Sequence, residues 1–154
     1  MAPLTAGNVS DPAVIRRALL TPSTWAVVGL STDATRTAHG VAQWMHEALG
    51  HRIIPVHPRA EGVWGEPGYP TLTQIPDGTL VSVVDCFVNS QRVGAVMDEA
   101  IANKDRLGIS TIWLQLGVID EDGAQRAIEA GMDVVMDTCP MIEYDALGLR
   151  RSPH

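Results

Sequence analysis

The stretch Trp25-Ala26-Val27-Val28-Gly29-Leu30-Ser31 decides the fold. Its unbroken apolar run suits a parallel strand buried on both faces, because the crossover helices of such a sheet cover each side. Gly29 ends the run, and Ser31 and Thr32 open a polar loop. Beyond it Ala38, Val41, Ala42, Met45, Ala48 and Leu49 recur at helical spacing, with Gly50 placed to cap the helix. Upstream, Ser10-Asp11-Pro12 supplies a cap and a first turn, and Ile15, Ala18 and Leu19 carry a short amphipathic helix to about Leu20. Thr21-Pro22-Ser23 stops it.

The alternation continues downstream. Arg52-Ile53-Ile54-Pro55-Val56 reads as a second strand whose Pro55 lacks a ladder donor and predicts an irregular edge. From His57 to Asp77 the chain is rich in Pro and Gly. There Val63-Trp64-Gly65 and Gly68-Tyr69-Pro70 predict a short third strand or hairpin, and Thr71 to Ile75 one helical turn. Leu80 to Phe87 reads as a strand, and Ser90 opens a helix carrying Val93, Val96, Met97, Ala100 and Ile101. Thr111 to Leu116 is the next strand, Asp120 starts a helix capped by Gly131, and Asp133 to Asp137 is the last strand. Pro140 opens a short final helix. Such alternation gives an α/β, Rossmann-like, doubly wound parallel sheet in three layers (α/β/α), with right-handed crossovers and an expected strand order 3-2-1-4-5-6. No repeat or linker divides residues 1–154, which are expected to form one domain.

Charge and composition narrow the function. With 45% hydrophobic and 19% charged residues the chain is expected to be globular. A net charge of −7 argues against nucleic acid or an anionic membrane as partner, while leaving room for a local basic pocket. No apolar run approaches the roughly 18 residues that span a bilayer, and Met1 to Asp11 shows no secretory pattern. Cys86 and Cys139 form no CxxC and read as reduced thiols, so the expected location is cytoplasmic.

In open doubly wound sheets, ligands bind beyond the carboxyl ends of the strands, where strand order reverses. The loops expected to converge there are Gly29–Arg36, His57–Arg59, Phe87–Gln91 and Gln115–Gly117. Gly29, Leu30 and Ser31 would let backbone approach a phosphate near a helix N-terminus, and Arg36 adds a cation. The loop lacks GxGxxG, and no acid ends the second strand to hold a ribose 2′-hydroxyl. That strand ends instead in His57-Pro58-Arg59, whose arginine suits a phosphorylated ribose, as in NADP or the 3′-phospho-ADP of coenzyme A.

Further segments carry a family resemblance: Ile54-Pro55-Val56-His57-Pro58, Gly62-Val63-Trp64-Gly65-Glu66, Val84-Asp85-Cys86-Phe87, Ile112-Trp113-Leu114-Gln115-Leu116-Gly117-Val118 and Val134 through Tyr144. With the opening stretch, they make the chain, from about Leu20 to Tyr144, resemble the bacterial stand-alone CoA-binding domain proteins, the YccU-like group. More distantly it is similar to the CoA-binding domain of the succinyl-CoA synthetase alpha subunit. The resemblance implies coenzyme A as cofactor, with Gly29, Ser31 and Arg36 along its phosphates. It further implies His57 and Pro58 at the adenine-nucleotide end and Phe87, Val88 and Asn89 along the pantetheine. Three departures stand out. His57 replaces the family's Asn, Val88-Asn89 stand where basic residues usually follow Phe, and Thr138 and Met141 replace Arg and Lys around Cys139-Pro140. The last two remove positive charge.

Catalytic candidates are sparse. Cys139, before a helix start at Pro140, is a possible redox thiol, because a helix N-terminus lowers a thiol pKa; Asp137 opposes that effect. Cys86 reads as core. The histidines, His39, His46, His51, His57 and His154, show no metal-ligand spacing. Asp120-Glu121-Asp122 reads as capping, Glu143 as a solvated helix face, and Trp25, Trp44, Trp64 and Trp113 as packing. The reading is therefore a binding protein for coenzyme A or an acyl-CoA, without chemistry of its own. An NADP-linked or acyl-CoA-handling enzyme subunit, a thiol-redox protein acting through Cys139, and a homodimer stay open.

Overall fold

In the computed structural model, which describes residues 9–148, the opening stretch forms strand β1 (Thr24–Val28). Its two neighbours are β2 (Arg52–Val56) and β3 (Val83–Cys86), and β4 (Thr111–Leu114) and β5 (Asp133–Val135) follow on the β3 side. The sheet order is β2-β1-β3-β4-β5, and every pair is parallel. His154 and most of the N-terminal stretch weighed for a secretory pattern lie outside the described residues.

Residue alternation along the strands sorts the core into two layers. Trp25, Val27, Ile53, Val83, Trp113 and Val135 face one side, packed by α1 (Pro12–Leu20), α2 (Thr37–Leu49) and α6 (Pro140–Ala146). Ala26, Ile54, Val84, Cys86, Ile112 and Val134 face the other. That side is covered by α3 (Ser90–Ala102), α4 (Lys104–Leu107), α5 (Glu121–Glu129) and a 3₁₀ turn at Leu72–Gln74. The predicted caps recur: the Asp11 side chain accepts from Ala13 N–H, Gly50 is left-handed at φ 76°, and Asp120 accepts from Gly123 N–H. Trp25 and Trp113 are fully buried, 5.6 Å apart between ring centroids. Trp113 Nε1 donates to Thr138 O at 2.9 Å. His51, also buried, accepts from Ser23 N–H through Nδ1 and reaches Leu19 O through Nε2, an arrangement that fits a neutral ring. Burial lowers its pKa.

The expected third strand is reduced to single bridges. Tyr69 pairs with Val56 in parallel along the outer edge of β2, and Val63 pairs with Glu66. Proline and glycine explain the failure to extend. Pro58, Pro67 and Pro70 offer no donor, and a Cβ on Gly62 would stand 2.5 Å from Glu66 O, so the segment folds on itself. Pro55 fits β2 because β2 is a boundary strand. Its carbonyl accepts Tyr69 N–H at 3.1 Å on the outward side, where the missing donor falls too. At the opposite boundary Val9 bridges β5 at Val134, and Ser10 N–H donates to Val134 O at 2.8 Å.

Arg106 ties the segment after Tyr69 to α4. Its guanidinium donates to Ile75 O at 2.6 Å, Leu72 O at 3.3 Å, Thr73 O at 3.1 Å and Asn103 Oδ1 at 2.9 Å. Arg106→Ala leaves these half-buried carbonyls without their charged donor and is expected to cost about 2 kcal/mol. Urea unfolding followed by circular dichroism measures it; an unchanged midpoint would show that water replaces the guanidinium.

Candidate functional site

The connections after β1 and β3 diverge. The chain leaving β1 enters α2 on one face of the sheet, and the chain leaving the adjacent β3 enters α3 on the other. This is the reversal point at which a crevice opens in a doubly wound sheet. A cleft of about 680 Å³ lies there. Its floor is Val28, Gly29 and Phe87; one wall is Val56, His57, Pro58, Pro70 and Thr71, and the other is the face of α3 carrying Arg92, Ala95, Val96 and Glu99. Arg36, Val88 and Asn89 complete the rim.

Gly29 has φ +102°, and its N–H donates to Val56 O at 2.7 Å. A Cβ there would stand 2.7 Å from Phe87 O, so glycine lets the loops after β1 and β3 touch at the cleft floor. Leu30, expected at the ligand, is fully buried in the α2 layer and anchors the loop. Ser31 is also buried, and its Oγ accepts Asp33 N–H at 3.2 Å. Asp33 in turn accepts from Thr35 N–H and Oγ1, which lowers its carboxyl pKa. Leu30 and Ser31 thus shape the loop rather than line the cleft.

Of the other expected residues, Arg36, His57, Pro58, Phe87, Val88 and Asn89 come together at the cleft with Gly29. His57 accepts Arg59 N–H at Nδ1, 3.1 Å, leaving Nε2 for a ligand. Partial burial, then the Arg59 and Arg36 charges, lower its pKa. Asn89 caps α3 by accepting Arg92 N–H at 3.0 Å. Arg59 is outside the lining: its Nε lies 3.5 Å from Glu61, whose carboxylate also accepts from Thr32 Oγ1 at 3.0 Å. The Thr32 hydrogen bonds hold the Glu61 carboxyl below its ordinary range.

Gln115 and Gly117, also expected at the ligand, lie outside the cleft lining. Gln115 Nε2 donates to Asp85 Oδ1 at 2.6 Å inside the protein, and Gly117 N–H donates to Asp137 Oδ1 at 2.7 Å. Asp85 is fully buried in β3, its Oδ2 without a partner, and burial pushes its carboxyl up to about 7, the Gln115 bond resisting. Cys139 is half-buried at the start of α6, away from the cleft lining. Burial raises its thiol pKa, with the N–H groups of Met141 and Ile142 only partly opposing. Glu143 is neither fully solvated nor paired with a carboxylate; it accepts Thr138 Oγ1 at 2.6 Å. Among the described residues no cluster of His, Cys, Asp and Glu has the arrangement of a metal site, and no helix is long and apolar enough to cross a membrane.

Pro70, Thr71 and the α3 face were not anticipated from the sequence. The signal was present in Arg92, Ala95, Val96 and Glu99, which recur at three- and four-residue spacing and therefore share one side of a helix.

A parallel sheet with a cationic, glycine-floored cleft at its reversal point defines the class of Rossmann-like nucleotide-binding folds. Comparison with known proteins narrows this. A family model described as a CoA binding domain matches residues 23–145, and the chain belongs to that family. It is 33% identical over 119 residues to the uncharacterized protein YneT of Bacillus subtilis, covering 77% of this chain and 83% of that one. Among solved structures, a hypothetical protein from Pyrococcus horikoshii is similar with a TM-score of 0.78 and 29% identity, over 96% of this chain and 99% of the other. An acetyl-coenzyme A synthetase of Ca. Korarchaeum cryptofilum shares the fold, with a TM-score of 0.63 and 24% identity over 77% of this chain and 26% of that one.

Proposed function

We propose that this chain is a small cytoplasmic protein that binds coenzyme A, or an acyl-CoA, in the cleft over Gly29 and performs no chemistry of its own. The carrying observation is the cleft itself. It joins a floor at Gly29, cations at the rim, and the apolar side chains of Val56, Pro70, Ala95 and Val96. That combination fits a phosphorylated nucleotide better than an uncharged ligand. In this reading the adenine end lies toward His57 and Pro58, the phosphates cross Gly29, and the pantetheine leaves past Phe87, Val88 and Asn89. The titratable side chains in the lining are Arg36, His57, Arg92 and Glu99. Of these, Glu99 is engaged by Thr73 N–H and Oγ1 at 3.1 and 2.7 Å.

Thermal-shift titration with coenzyme A, acetyl-CoA, NAD and NADP tests the reading. A ligand bound only by the native state stabilises it by about 2.7 kcal/mol at a hundredfold excess over Kd. Coenzyme A or its acetyl form should raise Tm, and NAD should not. Stabilisation by NADP alone would overturn the assignment.

A further inference from the structure

We propose that Arg92 is a phosphate-gripping residue that acts opposite Arg36, the two arginines holding the diphosphate of the ligand between the starts of α2 and α3. The proposal rests on the coenzyme A reading and deepens it.

Topology supplies the first argument. Because α2 and α3 leave neighbouring strands toward opposite faces, their first turns converge on the cleft from both sides. Arg36 is the N-cap residue of α2, and Arg92 is the third residue of α3; both line the cleft. Each helix is 13 residues long and directs the positive end of its dipole the same way.

Charge pairing supplies the second. In a chain of net charge −7, Arg17, Arg52, Arg59, Arg106 and Arg126 all form ion pairs. Among the described residues Arg16, Arg36 and Arg92 form none, and two of these three share this cleft. Arg59, expected at a phosphorylated ribose, lies outside the cleft lining and pairs with Glu61 at 3.5 Å. The turn carrying Arg92 is fixed by the Asn89 cap, while its side chain stays exposed.

Position supplies the third. Arg92 stands one turn ahead of Ala95 and Val96 on the same helix face. A charge beside an apolar slot matches a diphosphate beside a purine.

The test is isothermal titration of the full chain with coenzyme A, dephospho-coenzyme A and ADP, comparing wild type with Arg92→Gln, Arg36→Gln and, as control, Arg16→Gln. A charge-assisted phosphate bond is worth a factor of roughly ten or more. Arg92→Gln and Arg36→Gln should each weaken coenzyme A and dephospho-coenzyme A about equally, by roughly tenfold, with Tm of the free protein and the Arg16→Gln control unchanged. Wild-type affinity in Arg92→Gln overturns the grip and leaves the coenzyme A reading intact. A loss confined to coenzyme A also overturns it, by assigning Arg92 to the 3′-phosphate. A wild type that ignores both CoA forms yet binds ADP through Arg92 keeps the grip and overturns the coenzyme A reading. Binding of none of the three overturns both.

Discussion

Asp85→Asn should stabilise the protein at pH 8 and leave it almost unchanged at pH 4. The folded chain raises the Asp85 carboxyl from an ordinary 3.8 to about 7 through burial. The folded state therefore binds this proton more tightly than the unfolded state, and stability falls as pH rises between those values, then stays flat above. Each pKa unit corresponds to about 1.4 kcal/mol, so the ceiling on the gain is about 4 kcal/mol at pH 8. Asparagine keeps the oxygen that accepts Gln115 Nε2 and removes the charge from the unpartnered Oδ2. Urea unfolding of both proteins across pH 4–8 measures the difference. A variant that loses more stability at pH 8 than at pH 4 would show that the carboxylate has a partner in solution.

Gly29→Ala should have an effect of opposite sign and comparable size. A side chain at φ +102° carries backbone strain of about 1–3 kcal/mol. The new Cβ would also meet Phe87 O at 2.7 Å and Phe87 Cβ at 3.1 Å, atoms that cannot swing aside as a flexible tip can. The loops after β1 and β3 must then part, which deforms the cleft floor. A loss of about 3 kcal/mol is expected, together with loss of the coenzyme A thermal shift in protein still folded at low temperature. Retained ligand stabilisation would place the binding site elsewhere.

The fold was legible because its signals are local. β1 is an apolar run with turn residues at both ends, α2 has helical periodicity and a glycine cap, and α5 has an acid at its start. The helix Lys104–Leu107 carries no separate sequence signal, because four residues cannot show a helical period and only Asn103 separates it from α3. The expected third strand or hairpin is met only by the Val63–Glu66 pair and the Tyr69 bridge, because the prolines and glycines around them prevent a longer ladder.

The site was legible at the level of loops, less so at the level of side chains. Strand alternation places Val83 with Asp85 and Trp113 with Gln115 on one face, so the Asp85–Gln115 bond across β3 and β4 follows from period two once the two strands are known to be neighbours. Sequence order alone does not say which strands are neighbours. Leu30 and Ser31 adjoin the glycine in sequence yet are buried, and Arg59 adjoins the cleft yet pairs with Glu61, which lies 29 residues from the Thr32 it also binds. Arg92 sits in the first turn of an amphipathic helix, where an exposed charged residue ordinarily signifies only the wet side.

The single-residue bridges at Tyr69 and Val9 have a consequence for association. A parallel sheet ends in two raw margins whose free amide and carbonyl groups invite another chain to add a strand. Here β2 is occupied by Tyr69 and β5 by Val9 and Ser10, each at the cost of one or two residues of chain. Polymerisation by sheet extension is thereby obstructed on both sides. A second copy adding a strand at either margin would first have to displace these bridges.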